Sequence, residues 1–261
     1  MQAKNVARHV VSWLDDYCSK VGTAGFIIGI SGGVDSALTS ILCAMTGRKV
    51  ILLSMPIRQT QAEYSRANNH INDLETRFSN VSSYDINLTD TFTSFEKNMP
   101  FDLKEQHLAM ANSRSRLRMT TLYAIGQANS CLVAGTGNKV EDFGIGFYTK
   151  YGDGGVDLSP IADLMKSEVY KVGAYLKVPE SILVAKPTDG LFGDSRTDED
   201  QIGASYDELE WAMLMAGQGK TVADFEGRTK RVMEIYTQRH KANKHKMDPI
   251  PVCEIPEELM N

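Results

Sequence analysis

The apolar run Phe26-Ile27-Ile28 leads into Gly29-Ile30-Ser31-Gly32-Gly33-Val34-Asp35-Ser36, and an amphipathic segment from Ala37 to Met45 then stops at Gly47. That order reads as strand, tight glycine turn, helix. Two adjacent glycines let the backbone pass close to a ligand, and the new helix points its unpaired N–H groups at whatever sits there. With the hydroxyls of Ser31 and Ser36 added, the loop suits phosphate oxygens. It lacks the Gly-Lys-Ser/Thr ending of a Walker A loop and the G-x-G-x-x-G spacing of a Rossmann turn. A carboxylate, Asp35, stands instead inside the anion cradle, where it repels phosphate. A Mg²⁺ ion bridging Asp35 and phosphate oxygens removes that conflict. A plain serine-capped helix start would need only the helix dipole to favour Asp35.

The rest of the chain supplies a frame for this loop. Strand-like runs occur at Phe26–Ile30, Val50–Met55, Val81–Ile86 and Cys131–Ala134, with helical patterns at Asp35–Met45, Thr60–Phe78 and His107–Ala128 between them. Such alternation predicts an α/β fold: a doubly wound parallel sheet with helices on both faces, organised as one domain over residues 1–261. Ligands of such sheets sit beyond the carboxyl ends of the strands, so the Ser31 loop and the Gly135-Thr136-Gly137-Asn138 turn are expected to share one pocket. Further helices are expected from an N-cap at Asp163 to Leu176, around Asp207–Met215 and over Val222–Lys241. Residues 189–201, rich in glycine and acids, read as a mobile loop. The proline-bearing tail, 247–261, reads as extended.

Composition narrows the class. A formal net charge of -5 argues against a strongly basic nucleic-acid face. The four cysteines (Cys18, Cys43, Cys131, Cys253) form no C-x-x-C pair, which disfavours structural zinc and paired-cysteine chemistry. No apolar run approaches the roughly 18 residues of a membrane span. Val6, Val10, Trp13, Leu14 and Tyr17 recur at helical spacing among charges, unlike a signal peptide. A cytoplasmic location is the expectation, with reduced thiols.

Downstream, several segments carry a functional and a bland reading side by side. Arg114 and Arg118 share a helix face while Arg116 points elsewhere; they form either a solvated basic face or a fork for an anionic substrate. Glu141 and Asp142 follow the Cys131–Ala134 strand, as surface acids or as the second carboxylate of an oxygen-rich cation site with Asp35. The tract Gly144–Gly155 packs five glycines, three aromatics and Lys150 together, as a core-covering loop or a ring-stacking platform. Lys166 sits in the first turn of its helix, where it opposes the macrodipole by about 0.3–1 kcal/mol; a lysine that reaches phosphates would explain the placement.

The segment Ser31-Gly32-Gly33-Val34-Asp35-Ser36 resembles the pyrophosphate-binding loop of the N-type ATP pyrophosphatases. Arg116-Leu117-Arg118-Met119, Gly135-Thr136-Gly137-Asn138-Lys139-Val140-Glu141 and Phe147-Tyr148-Thr149-Lys150-Tyr151-Gly152-Asp153-Gly154-Gly155 follow in order. Asp157, Lys166, Lys186-Pro187-Thr188, Ser205-Tyr206-Asp207-Glu208 and His245-Lys246 complete the series. Together they resemble the ammonia-dependent NAD synthetases, from about Phe26 to His245. The resemblance implies an adenine nucleotide alpha hydrolase-like fold and a ligase that amidates deamido-NAD with ATP and free ammonia through an acyl-adenylate. It implies ATP contacts from Gly29, Ile30, Ser31, Gly32, Gly33, Val34, Asp35, Ser36, Thr136, Lys166 and Thr188. Asp35 and Lys166 would serve catalysis, with Asp35 and Glu141 holding Mg²⁺. Arg116, Phe147, Lys150, Asp157, His245 and Lys246 would contact deamido-NAD in a homodimer whose dinucleotide site lies at the subunit interface.

One spacing departs from the family pattern. Counting from Thr136 selects Glu141 as the second metal ligand, whereas counting back from Lys150 selects Asp142; the strand-end turn favours Glu141. At 261 residues an additional glutamine amidotransferase domain is not expected, which leaves ammonia as nitrogen source. Another adenylating amidase, a tRNA-modifying enzyme and a non-catalytic adenine-nucleotide sensor are the competing readings.

Overall fold

The structure, a computed structural model, describes residues 1–188 and 197–260. Four parallel strands, β1 (Gly25–Gly29), β2 (Lys49–Ser54), β3 (Val81–Asp85) and β4 (Cys131–Val133), form one sheet in the order β3-β2-β1-β4. Register runs Ile27 to Ile51 on one side of β1 and Ile27 to Val133 on the other. Each strand falls within a residue or two of its expected run; β1 and β2 are buried along most of their length and so read as near-continuous apolar stretches, whereas β3, at the edge of the sheet, has no buried residue.

Helices cover both faces, as expected. Phe26, Ile28, Val50 and Leu52 point to the face packed by α1 (Ala3–Val21), α2 (Val34–Ala44), α3 (Gln61–Arg77) and, further along the chain, residues 166–175. Ile27, Ile51, Leu53 and Val133 point to the opposite face, under α4 (Thr89–Glu96) and α5 (His107–Ala128). Alternating neighbours on a strand therefore fill two separate cores. Truncating a fully buried residue such as Ile27 to alanine is expected to cost about 2–5 kcal/mol. At Gly126, α5 comes so close to the sheet that an added Cβ would lie 3.0 Å from Ile27 Cγ2 and 3.1 Å from the Cys131 carbonyl oxygen.

The carboxyl half adds α6 (Lys166–Tyr175), α7 (Glu180–Leu183), α8 (Asp198–Ile202), α9 (Tyr206–Gly217) and α10 (Gly227–Met247). A third apolar cluster, including Val140, Ile145, Leu209, Val232 and Tyr236, ties α9 and α10 to the segment after β4. Asp163 is not the N-cap of α6: that helix starts after Met165, whose N–H donates to Glu168 Oε2 at 3.0 Å. The Asp163 carboxylate instead pairs with Lys139 at 2.8 Å. Of the expected mobile stretch 189–201, residues 189–196 lie outside the described residues. Residues 198–201 belong to α8, which Thr197 caps by accepting from the Asp200 N–H. The tail leaves helical geometry at Asp248 and has one short 3₁₀ turn, Glu257–Leu259. Among the described residues no helix is long and apolar enough to cross a membrane.

Sheet order places the site. The chain winds from β1 outward through β2 to β3, then returns to β4 on the other side of β1. Connections therefore diverge between β1 and β4, and a crevice opens beyond their carboxyl ends.

Candidate active site

The loop after β1 is held by its own side chains. Gly32 has φ +83°, a conformation that favours glycine, and an added Cβ would meet the Glu63 carbonyl oxygen at 3.0 Å and Ala67 N at 3.2 Å. Gly33 N donates to Ser31 Oγ at 3.2 Å, and Ser36 Oγ donates to the Gly33 carbonyl at 3.0 Å. Ser36 is buried and shapes the turn, while Ser31 remains exposed at the mouth. The serines thus fix the loop's curvature, and the start of α2 supplies N–H groups pointing outward.

Asp35 stands in the first turn of α2, and its expected conflict with the cradle is resolved by a side chain. Lys166 Nζ lies 2.6 Å from Asp35 Oδ2 and 3.0 Å from Glu141 Oε1, with Lys166 itself only 3% exposed. Asn138, from the turn after β4, donates to Asp35 Oδ1 at 3.1 Å. Tyr206, at the start of α9, donates its hydroxyl to Glu141 Oε1 at 2.6 Å, with Asp198 Oδ2 3.2 Å from the same oxygen, and its ring centroid is 4.7 Å from Lys166 Nζ. Asp35, Glu141 and Tyr206, from three separate elements, so converge on one ammonium.

The electrostatics follow from that shared cation. Burial works against the Lys166 ammonium, but Asp35 and Glu141 outweigh it and hold the group above the ordinary lysine range. The two acids are not served equally. Burial tends to raise Glu141, yet Lys166 and the Tyr206 hydroxyl bring it below the usual carboxylate range. Asp35, buried and facing Glu141, is pushed up despite Lys166. Asp142 points away, its carboxylate filling the space where a Cβ on Gly137 would stand 2.1 Å from Oδ2. Burial first, then the charges of Glu141, Asp153 and Asp35, raise it to about 8. Of the two acids, Glu141 is the one that meets Lys166.

A cavity of about 700 Å³ opens over this centre, within the usual range for small-molecule sites. Its lining includes Gly29–Ser36, Thr136, Glu141, Lys166 and Thr188, so the residues expected at the nucleotide come together. Phe147 and Lys246 line it too. Lys246 Nζ donates at 2.8 Å to the carbonyls of Gly146 and of Tyr148, which staples α10 onto the glycine-rich tract.

The other expected dinucleotide contacts sit outside that lining. Arg116 is exposed and donates through Nε to the Lys150 carbonyl at 3.3 Å, while Lys150 Nζ donates to the His245 carbonyl at 2.8 Å. Asp157 accepts from Val133 N at 2.8 Å and from the Tyr123 hydroxyl at 3.0 Å. The arginine pattern divides as read. Arg118 reaches the β2 end, donating to the Met55 carbonyl at 3.0 Å and Gln59 at 2.9 Å, and Arg114 lies 5.2 Å from the Phe92 ring centroid. Within the Gly144–Gly155 tract, Thr149 Oγ1 donates to Asn112 at 2.7 Å and Asp153 accepts from Ser115 at 2.6 Å, which pins the tract to α5.

Sequence reasoning gave no role to Asn138, Tyr206 or Asp198. Asn138 was visible as part of the turn after β4. Tyr206 and Asp198 reach the centre only because α8 and α9 fold back over it, and their local sequence carries no signal of that.

As to cation chemistry, Asp35 and Glu141 are the two carboxylates that converge. Among the described residues no cluster of three or more His, Cys, Asp or Glu is arranged to hold a metal ion. A divalent cation would take those two acids from the protein and its remaining oxygens from elsewhere. That donor set suits Mg²⁺ bound jointly with phosphates.

Comparison with known proteins agrees with this geometry. The family model described as NAD synthase matches residues 6–250. The NH(3)-dependent NAD(+) synthetase of Mesoplasma florum is 37% identical over 212 residues, 80% of this chain and 84% of the relative. That of Methanosarcina mazei is 32% identical over 261 residues, covering 98% of this chain and 100% of the relative. Among solved structures, the NMN synthetase of Francisella tularensis superposes with a TM-score of 0.86 at 31% identity, covering 98% of this chain and 100% of its own. With the loop, the turn after β4 and the buried lysine all in one crevice, the chain belongs to the NAD synthase family.

Proposed function

We propose that this protein is a ligase that uses ATP and free ammonia to convert the nicotinate carboxylate of deamido-NAD into the amide of NAD, releasing AMP and pyrophosphate. The observation that carries the reading is the Lys166 ammonium held between Asp35 and Glu141 at the floor of a glycine-lined phosphate cavity. A carboxylate oxygen of the substrate attacks the α-phosphorus of ATP, and the bond from that phosphorus to the β-bridging oxygen breaks. Its electron pair leaves with pyrophosphate. The nitrogen of ammonia then attacks the acyl carbon, the bond to AMP breaks, and the nitrogen loses a proton.

The chain's own residues position and neutralise. N–H groups at the start of α2 are offered to the phosphates, and Lys166 adds positive charge beside them. Phe147 offers a ring face at the cavity wall. No side-chain nucleophile is needed, since ATP supplies the leaving group. Mg²⁺, held by Asp35 and Glu141, would offset phosphate charge when bound. Arg116, Lys150, Asp157 and His245 lie outside the cavity lining. They serve the dinucleotide under the reading that a second copy of the chain completes that part of the site.

Incubation with ATP, Mg²⁺, ammonium and deamido-NAD tests the proposal by assay of NAD, AMP and pyrophosphate. ADP as product, or ATP cleavage indifferent to deamido-NAD, would refute it. Glutamine in place of ammonium is expected to give no turnover. A second reading, in which the shorter nicotinate mononucleotide is the preferred substrate, is favoured by the likeness to the NMN synthetase of Francisella tularensis. Comparing kcat/KM for the two nucleotides in the same assay separates these readings.

A further inference from the structure

Most cations around the cavity are already engaged. Lys166 bridges two acids, Arg118 donates to Met55 and Gln59, Arg239 Nη2 donates to the Gln201 carbonyl at 2.7 Å, and Lys246 serves two carbonyls. Arg66 differs. It lines the same cavity from α3, and its Nε is sealed from solvent with no hydrogen-bond partner. Nor does its guanidinium form an ion pair with any described residue.

The place of Arg66 in the fold gives that arginine a direction. The first turns of α3 lie directly on the phosphate loop: a Cβ added at Gly32 would be 3.3 Å from Arg66 Cβ. Nearby acids are already committed. Glu63 accepts from Thr60 N at 3.2 Å in the cap of α3, Asp35 is held by Lys166, and Asp85 accepts from the Tyr64 hydroxyl. A planar guanidinium beside a glycine anion cradle, with no carboxylate to satisfy it, is matched to a phosphate group.

We propose that Arg66 is an ATP-binding residue that engages the β and γ phosphates beside Gly32 and neutralises the pyrophosphate as it leaves. The inference rests on the function proposed above and extends its phosphate site onto α3. It assigns Arg66 to the leaving group, while Lys166 is held between Asp35 and Glu141.

Substitution of Arg66 by methionine tests this by isothermal titration of three ligands: ATP, inorganic pyrophosphate and AMP. Affinity for ATP and for pyrophosphate is expected to fall roughly 10- to 100-fold, and affinity for AMP to stay within twofold. Thermal melting of the unliganded protein should hold or rise, because a buried N–H without a partner is removed. Arg66→Lys is expected to recover part of the pyrophosphate affinity through its point charge. Pyrophosphate affinity unchanged in Arg66→Met would overturn the proposal. So would equal losses for AMP and pyrophosphate with a lowered melting temperature, which would mark a structural role. If the unsubstituted protein releases no pyrophosphate with deamido-NAD, the functional reading fails, and the titrations still decide the role of Arg66.

Discussion

Replacing Lys166 by methionine separates the stabilising and the chemical duties of the central ion cluster. The side chain is 4% exposed and serves Asp35 at 2.6 Å and Glu141 at 3.0 Å. Methionine fills similar volume, so packing is largely kept, but two carboxylates then face each other without a cation. Removing one partner of a buried pair costs about 3–5 kcal/mol. Adding Asp35→Asn to Lys166→Met takes away one of the two stranded charges, and Glu141 keeps the Tyr206 hydroxyl. The double variant is therefore expected to be more stable than the lysine variant alone, with a coupling of about 1–3 kcal/mol. Urea unfolding at pH 7, followed by midpoint and slope, measures it. Pyrophosphate release should drop at least about 100-fold in Lys166→Met, as for loss of a charge-stabilising group, and stay low in the double variant. If Lys166→Met is as stable as the parent, or if the two substitutions simply add, the cluster is not the coupled unit described here.

Three further outcomes follow from the geometry. Burial, reinforced by Arg77 against the pull of Asp73, lowers His70 to about 4, where its Nε2 pairs with Ser40 Oγ at 2.9 Å. The unfolded imidazole titrates near 6.5, so the unfolded chain binds the extra proton first; stability is flat above that pH and declines by about 3 kcal/mol as acid nears pH 4. His70→Gln should flatten melting curves taken between pH 7.5 and 4.5, and parallel profiles would exonerate His70. Gly32→Ala, strained at φ +83° and pressed against α3, should lose about 1–3 kcal/mol and bind ATP more weakly. Gly33→Ala, at φ -93°, should be the milder change by calorimetry and titration. Tyr206→Phe keeps the ring over Lys166 but strips a donor from Glu141, at a cost of about 1–2 kcal/mol. Pyrophosphate release should slow about tenfold, and a rate within twofold of the parent would show that the hydroxyl is dispensable.

The strands and the first site loop were legible because each is a local pattern with one physical solution. Phe26–Ile28 and Val50–Leu53 are unbroken apolar runs, as the buried middle of a parallel strand covered on both faces has to be. The helical pattern read over Thr60–Phe78 matches α3, whose start the structure shows to be closed by a capping box between Thr60 and Glu63. By contrast, the start of α6 was misplaced by two residues. Asp163 has the chemistry of an N-cap, but a partner distant in sequence, Lys139, claims its carboxylate. Helix α4 was missed altogether, since Phe92 is its one buried residue and leaves little periodicity to read.

The sequence by itself determined the loop, the order of strands and helices, and a carboxylate that had to meet a cation. Those follow from backbone chemistry and apolar spacing, which act over a few residues. Tertiary structure decided which cation meets Asp35: a lysine 131 positions away, placed by α6 and closed over by Tyr206. It also decided that Glu141 rather than Asp142 faces the centre, because neighbouring side chains on a helical turn point in different directions. Arg66 belongs with these. In the sequence it is one basic residue on a polar helix, and only the packing of α3 against Gly32 sets its guanidinium beside a phosphate cradle with no acid to hold it.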